Sequence, residues 1–235
     1  MSLTLHPIGI VRSCFKEKFG IPRQPGLVPA ATAWLELTPE VAREEAWRGL
    51  DGFSHVWVTF QFHGVPEGKW NPTVRPPRLG GNQRLGVFAT RSTYRPNSLG
   101  LSVVGFGGME TREGKLGVRL LGVDLLEGTP VFDIKPYLPY ADILPNATGG
   151  FAPQSPDATL AVVWTTEAEQ QCQELTAQTP EFRDVVEQVL RLDPRPAYAR
   201  KGDNDRTYGV HLFDSNVRWH IEGTSVIVES IQPAS

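Results

Sequence analysis

Phe53-Ser-His-Val-Trp-Val-Thr-Phe-Gln-Phe62 is the stretch that decides the fold. Its even positions include Val56, Val58, Phe60 and Phe62, all apolar, while His55, Thr59 and Gln61 fall on the odd ones. A period of two is the signature of a strand with one face in a core and the other in a wetter setting. On either side, Ile8–Arg12, Ala33–Leu37, Leu85–Ala89, Leu101–Phe106 and Leu116–Val123 are further β-branched or aromatic runs, separated by Gly, Pro and Asp turns. One helix is expected among them. Thr38 fits its N-cap, Pro39 its first position, and Val41, Ala42, Ala46 and Leu50 its apolar stripe, with Gly49 and Asp51-Gly52 to end it. So many strands with so little helix predict a closed or sandwiched antiparallel sheet. No strand–GxGxxG–helix unit exists, since Gly105-Phe-Gly107-Gly108 sits at a strand end and precedes no helix. A Rossmann-type cofactor site is therefore not expected.

The Pro- and Gly-rich segment from Pro145 to Pro156 is the best domain boundary. It divides a mainly β N-terminal domain, residues 1–148, from a small α+β C-terminal domain, residues 156–235. In the latter Leu160–Trp164 reads as a strand. Thr166-Glu-Ala-Glu169 reads as a capping box opening a helix to about Gln178. Thr179 and Pro180 start a second helix running to about Leu192, and Thr207–Leu212, Val217–Ile221 and Ser225–Ile231 follow as strands.

At 235 residues, 40% apolar and 21% charged, the chain has the composition of an ordinary soluble protein. No run of about eighteen apolar residues exists to span a membrane, and the N-terminal MSLTLHPIGIVRS is too short and too broken by Pro7 and Gly9 for a secretory signal. Cys14 and Cys172, far apart and outside any metal or CxxC pattern, suit a reducing, cytoplasmic setting.

Charge is where the sequence turns informative. Between Glu67 and Glu110 lie Lys69, Arg75, Arg78, Arg84, Arg91 and Arg95 and no acid, in a chain of net charge −3. The imbalance is local, and a local imbalance points at a site. Guanidinium groups on a Pro/Gly-held backbone suit phosphate, carboxylate or the face of a base. Three more segments carry candidate chemistry. Gly20-Ile-Pro-Arg-Gln-Pro-Gly26 is a rigid loop with one guanidinium and one amide. Gln61-Phe-His-Gly64 ends the central strand, with His63 a candidate base, stacking ring or ligand. Asp124-Leu-Leu-Glu-Gly-Thr-Pro-Val-Phe-Asp-Ile-Lys-Pro-Tyr137 offers carboxylates suited to a ribose diol or an amino group. Its Asp133, Lys135 and Tyr137 alternate along an extended segment and so share a face. No metal-ligand spacing, no nucleophile motif and no GxxxxGK[ST] loop occurs. The chemistry expected is recognition of a polar organic cofactor or a nucleotide, with catalysis by placement.

FGIPRQPGL, DGFSHVWVTFQFH, NPTVRPPRLGG, GVFATRSTYRPNSLGLS and DLLEGTPVFDIKPYLPYAD resemble, in order and spacing, the motifs of the TsaA/TrmO (YaeB-like) tRNA methyltransferases. DPRPAYARKGDNDRTYGVHLFDSNVRWHI resembles the C-terminal extension of the bacterial members. Two departures stand out: Arg95-Pro-Asn-Ser-Leu-Gly100 replaces a usual RPNPIG, and Glu127 stands where Asp is common. The resemblance implies an antiparallel β-barrel that binds S-adenosylmethionine, works as a homodimer, and methylates N6 of N6-threonylcarbamoyladenosine beside the anticodon of threonine tRNAs. It further implies cofactor contacts at Pro22, Arg23, Gln24, Phe62, His63, Arg91, Leu101, Leu126, Glu127, Gly128 and Thr129.

For such a reaction Asp133, His63 and Tyr137 are the candidate proton acceptors, in that order, and Arg95 or Lys135 would bind the threonyl carboxylate. Arg75, Arg78, Asn97, Arg200 and Lys201, with Arg195 and Arg206, are expected on the RNA, and Tyr94, Tyr198 and Tyr208 are candidate stacking platforms. Two alternatives remain at this level: a non-catalytic RNA- or nucleotide-binding barrel, and a methyltransferase with another substrate.

Overall fold

The computed structural model describes residues 3–196, 199–201 and 206–234, the side chain of Lys201 excepted. Its elements in chain order are β1 (Gly9–Ser13), β2 (Thr32–Leu37), α1 (Glu44–Trp47), β3 (His55–Gln61), β4 (Thr73–Val74), β5 (Leu85–Gly86), β6 (Leu99–Arg112), β7 (Lys115–Leu121), β8 (Pro130–Pro136) and α2 (Pro139–Asp142). Then follow β9 (Ala161–Trp164), α3 (Thr166–Gln178), α4 (Phe182–Arg191), β10 (Tyr208–Leu212), β11 (Ser215–Glu222) and β12 (Ser225–Pro233).

Six strands pair antiparallel in the cyclic order β1-β2-β7-β6-β3-β8 and close into a barrel. The closing seam is short: Gly9 opposite Val131 and Ile10 opposite Pro130. The alternation of β3 is realised residue by residue. Val56 and Val58 are fully buried and Phe60 nearly so, and Val11, Leu35, Val104, Val118, Leu120 and Val131 join them inside. Each such side chain contributes about 1.5–3 kcal/mol by leaving water. A second sheet, β10-β11-β12-β9, has one parallel pair, β12 with β9, and carries α3 and α4.

The two sheets share a core. Phe15, just past β1, forms a bridge with Leu212; Phe213 N–H donates to the Cys14 carbonyl at 2.7 Å, and His211 N–H to Glu17 Oε1 at 2.9 Å. Gly20 (φ +88°) lies against Val210, so close that a Cβ there would fall 2.5 Å from Cγ2. These contacts fix the mouth of the Gly20–Gly26 loop relative to the C-terminal sheet.

Several local expectations are corrected. The helix expected from Thr38 is only α1. The Thr38 carbonyl accepts from Val41 and Ala42 in a turn, and Arg43 is then extended (φ −120°, ψ 124°), which breaks helical progression. The Gly105–Gly108 stretch is not a strand end but a bulge within β6, where pairing to β7 slips between Phe106 and Met109 and Gly108 takes φ +98°. Leu85–Ala89 is two residues of strand followed by a 3₁₀ turn, Val87–Ala89. The first C-terminal helix is capped by Thr165, whose hydroxyl accepts from Ala168 N–H, and Glu169 turns outward to Arg183. The second begins at Phe182 rather than Pro180.

Candidate active site

Four segments far apart in sequence converge on one cleft of about 620 Å³. The first loop contributes Ile21, Pro22, Arg23 and Gln24; the end of β3 and its continuation contribute Phe60 to Val65. The basic turn and the start of β6 bring Arg91, Arg95 and Leu99 to Ser102; the chain beyond β7 brings Asp124, Leu126 and Thr129. The volume lies within the range of small-molecule and cofactor sites. The lining pairs apolar side chains (Ile21, Phe60, Phe62, Leu101, Leu126) with Lys18, Arg23, His63, Arg91, Arg95 and Asp124.

Each wall has a local cause. Gly100 lets Phe60 lie flat across the cleft floor, since a Cβ at Gly100 would meet the ring at 2.3–2.8 Å. Phe60 in turn meets Phe62 edge-on, with centroids 5.2 Å apart. Ser98, at φ +44°, turns its carbonyl to accept Phe62 N–H at 2.8 Å, tying the basic turn to the end of β3. Arg91 donates to the Gln24 side chain, joining the basic turn to the first loop. Arg95 is spent on its own turn, donating to the carbonyls of Thr90 (2.9 Å) and Val87 (3.3 Å) while lying over the Phe88 ring.

Glu127 has a different place from the one expected. Its carboxylate accepts from Ser13 N–H at 2.6 Å and pairs with Lys16 (3.3 Å) and Arg12 (3.4 Å), away from the cleft. It anchors the Leu126–Thr129 turn to the end of β1, with Glu127 N–H on the Phe15 carbonyl and Gly128 N–H on that of Val11. Gly128 provides φ +77° and lies beside His63. Thr129 closes the turn, its hydroxyl donating to the Leu126 carbonyl at 2.7 Å and lying 3.4 Å from His63 Nδ1.

The three expected proton acceptors separate in space. His63 lines the cleft; Asp133 and Tyr137 do not. Asp133 is opposite Thr59 on the outward face of β8 and pairs with Lys135 at 3.5 Å. Tyr137 belongs to an adjoining groove with His55, Trp57, Val103 and Asp142, where it packs on Trp57. Asp133 shares the barrel's outer face with the cleft residues Trp57 and Leu101 without itself lining the cleft, and Tyr137 lies one residue beyond β8. The sequence reading takes Asp124 only as one of its segment's carboxylates suited to a diol or an amino group and gives it no catalytic role, yet it is the one carboxylate among the described lining residues. Ser102 Oγ donates to its Oδ1 at 2.9 Å, and burial raises its pKa to about 6 against the pull of that bond and of Arg91. The available signal was an acid placed directly after the apolar run Leu116–Val123.

Of the residues expected on RNA, Arg75, Arg78, Asn97, Lys135 and Arg200 are exposed. Desolvation, with the like charges of Arg200 and Arg78, outweighs the attraction of Asp193 and holds the Arg23 guanidinium below its ordinary pKa, so three cations gather near one acid at the cleft edge. Such an arrangement favours an anion between them. Tyr208 is not an open platform: its ring stacks on Trp219 (4.8 Å, 22°) and carries Arg206 at 5.2 Å. Arg195 is buried against Asp193 at 2.8 Å rather than presented to a ligand. Tyr198 lies outside the described residues, as does the Lys201 side chain. Among the described residues no His/Cys/Asp/Glu cluster suits a metal, and no helix is long and apolar enough to cross a membrane.

Comparison with known proteins agrees across the whole chain. Residues 10–143 match the family model of the tRNA-methyltransferase O N-terminal domain, and residues 157–234 that of the TrmO C-terminal domain. The tRNA (adenine(37)-N6)-methyltransferase of Escherichia coli K12 is 46% identical, over 99% of both chains. A putative S-adenosylmethionine-dependent methyltransferase of Pseudomonas aeruginosa is 51% identical over 94% of this chain and 93% of its own. The crystal structure of TrmO from P. aeruginosa superposes with a TM-score of 0.82 at 42% identity, covering 100% of this chain and 98% of that one. Fold, cleft and relatives together define an S-adenosylmethionine-dependent methyltransferase built on antiparallel strands rather than on a Rossmann sheet. Within that class the chain belongs to the tRNA-methyltransferase O family.

The residues present fit S-adenosylmethionine. Arg23 and Arg91 suit its carboxylate, the Thr129 hydroxyl offers a polar partner for its diol, and Phe60, Phe62 and Leu126 suit its adenine and carbon chain.

Proposed function

We propose that the protein methylates N6 of adenosine 37 in tRNA, the substrate being N6-threonylcarbamoyladenosine next to the anticodon of threonine tRNAs. The observation that carries this reading is the convergence of the four motif segments on one cleft edged by arginines, in a chain matched end to end by an adenine-37 methyltransferase. Bound there, the cofactor supplies an electrophilic methyl group on a sulfonium. The chain's own work is to place the N6 nitrogen, keep water out and hold charge. The aromatic pair Phe60 and Phe62 walls the cleft against solvent. Arg23, Arg78 and Arg200 supply positive charge for the anticodon-loop phosphates, and Arg75, Asn97 and Lys135 extend that surface. The threonyl carboxylate would be received by Lys135 or Arg95; Lys135 has the freer ammonium, since Arg95 is bonded within its own turn.

The same proposal includes a homodimer in the cytoplasm. Tyr140, Ile143 and Leu144 are 87%, 53% and 71% exposed within one short stretch beyond β8, an apolar surface a second copy would cover. Light scattering reads the mass directly, and a monomer removes that part.

The reaction is tested with labelled S-adenosylmethionine and two threonine tRNAs, one carrying threonylcarbamoyladenosine and one unmodified, read by nucleoside mass spectrometry. A gain of one methyl on the modified nucleoside alone supports the full reading. Equal transfer to both removes the threonylcarbamoyl requirement. Transfer to neither, with the cofactor bound, moves the substrate elsewhere.

A further inference from the structure

We propose that Asp124 is the catalytic residue that takes the N6 proton as the methyl group arrives. The inference rests on the adenine-N6 reading above. The N6 nitrogen lies between a purine ring and, in the modified nucleoside, a carbonyl. Its lone pair is delocalised and its N–H is acidic, so methyl transfer is helped by a base acting in the same step. In that step the N6–C bond forms, the C–S bond breaks with its electron pair left on sulfur, and the N6 proton passes to a carboxylate oxygen of Asp124.

Three features single out Asp124. It is the only acid among the described residues that line the cleft. It stands three residues beyond β7 and is fixed by the Ser102 hydroxyl of β6, 2.9 Å from Oδ1, so its orientation comes from the barrel wall rather than from a loop. The charged and titratable groups that share the cleft are Lys18, Arg23, His63, Arg91 and Arg95, and among the cations it is the charge of Arg91 that pulls the Asp124 pKa down. Burial outweighs that attraction and raises the carboxyl pKa to about 6, which leaves it ionised at neutral pH yet far more basic than an exposed aspartate. The competitors are less well placed: Asp133 faces outward against Lys135, and the His63 ring leans on the Thr129 hydroxyl at the cleft wall.

The test uses full-length protein and threonylcarbamoylated threonine tRNA, in single turnovers at saturating S-adenosylmethionine between pH 5 and 8. The wild-type rate should rise with pH and level off above an inflection near 6. Asp124→Asn, which keeps shape and can still meet Ser102, should lower the rate by about 10²–10⁴-fold while the cofactor dissociation constant by calorimetry stays within about threefold. Ser102→Ala removes a bond that favours the ionised form and should move the inflection to higher pH, a shift that a merely structural role would not produce. A wild-type single-turnover rate in Asp124→Asn, a loss confined to cofactor affinity, or an unmoved inflection in Ser102→Ala overturns the assignment. Wild type that transfers no methyl to any tRNA overturns the functional reading, and the assignment with it.

Discussion

At the scale of single residues the cleft depends on small side chains as much as on charged ones. Gly100 faces Phe60 so closely that even a methyl group displaces the ring. Gly100→Ala should cost about 1–3 kcal/mol in denaturant unfolding, as overpacking does, and should weaken cofactor binding because Phe60 forms the floor. Unchanged stability with unchanged affinity would show that the ring is free to move. Arg91, held by Gln24, is the natural partner of the cofactor carboxylate. Arg91→Ala should raise the S-adenosylmethionine dissociation constant by about tenfold or more, the worth of a bond to a charged group; an unaltered calorimetric constant would remove it from the site. Asp133→Ala, by contrast, should keep most of its single-turnover rate, because that carboxylate lies outside the cleft. Which residues gather was legible: Pro22, Arg23, Gln24, Phe62, His63, Arg91, Leu101, Leu126 and Thr129 all line the cleft. Their roles were less so. Glu127 and Asp124 are three residues apart in one motif, yet one braces β1 and the other faces the cleft. Spacing alone gives no sign of which way an acid in a turn points.

At the scale of elements, strands declared themselves and their ends did not. β3 follows its alternation throughout, because burying one face leaves only one register that works. β6 runs to Arg112, well past the expected Phe106, because the bulge at Gly107-Gly108 lets it bend and continue as a hairpin with β7. The short α1 shows tertiary contacts overriding propensity. Trp47 donates its indole N–H to the Val41 carbonyl at 2.8 Å, and Val41, Ala42, Trp47 and Leu50 pack on the core from an irregular loop. The α3 cap moved by one residue, to Thr165, for a reason visible only in three dimensions. The same hydroxyl also donates to the Glu229 carbonyl of β12 at 2.8 Å, fastening the helix to its sheet. Thr165→Ala should therefore cost about 0.5–2 kcal/mol. A change within error would mean that water serves this helix end equally well.

At the scale of the whole molecule the charge pattern sets how the protein responds to solution. His220 on β11 is gripped by Glu222 (3.0 Å) and Glu229 (2.7 Å), and these bonds raise its pKa. A raised folded-state value means that the charged pair stabilises fully below the ordinary histidine pKa of about 6.5, and that the contribution disappears as pH rises through the folded-state value. Thermal unfolding of wild type against His220→Gln should differ most at about pH 5.5–6, below the ordinary histidine value, and converge at alkaline pH; parallel curves would detach His220 from stability. Association with tRNA should weaken steeply with salt despite the net charge of −3, because the cations are gathered at one edge of the cleft. By itself the sequence determined the strands, the antiparallel class, the missing Rossmann unit, the basic stretch and the motifs that name the family, all of which depend on residue type and local period. Tertiary structure alone decided three further things. The barrel closes through the two-residue seam of β1 and β8; the C-terminal sheet docks through Phe15 and Leu212; and Asp124 turns into the cleft while Asp133 turns out. Those outcomes depend on contacts between residues dozens to nearly two hundred positions apart and on which side of a strand or turn faces the interior, and local chemistry along the chain leaves both open.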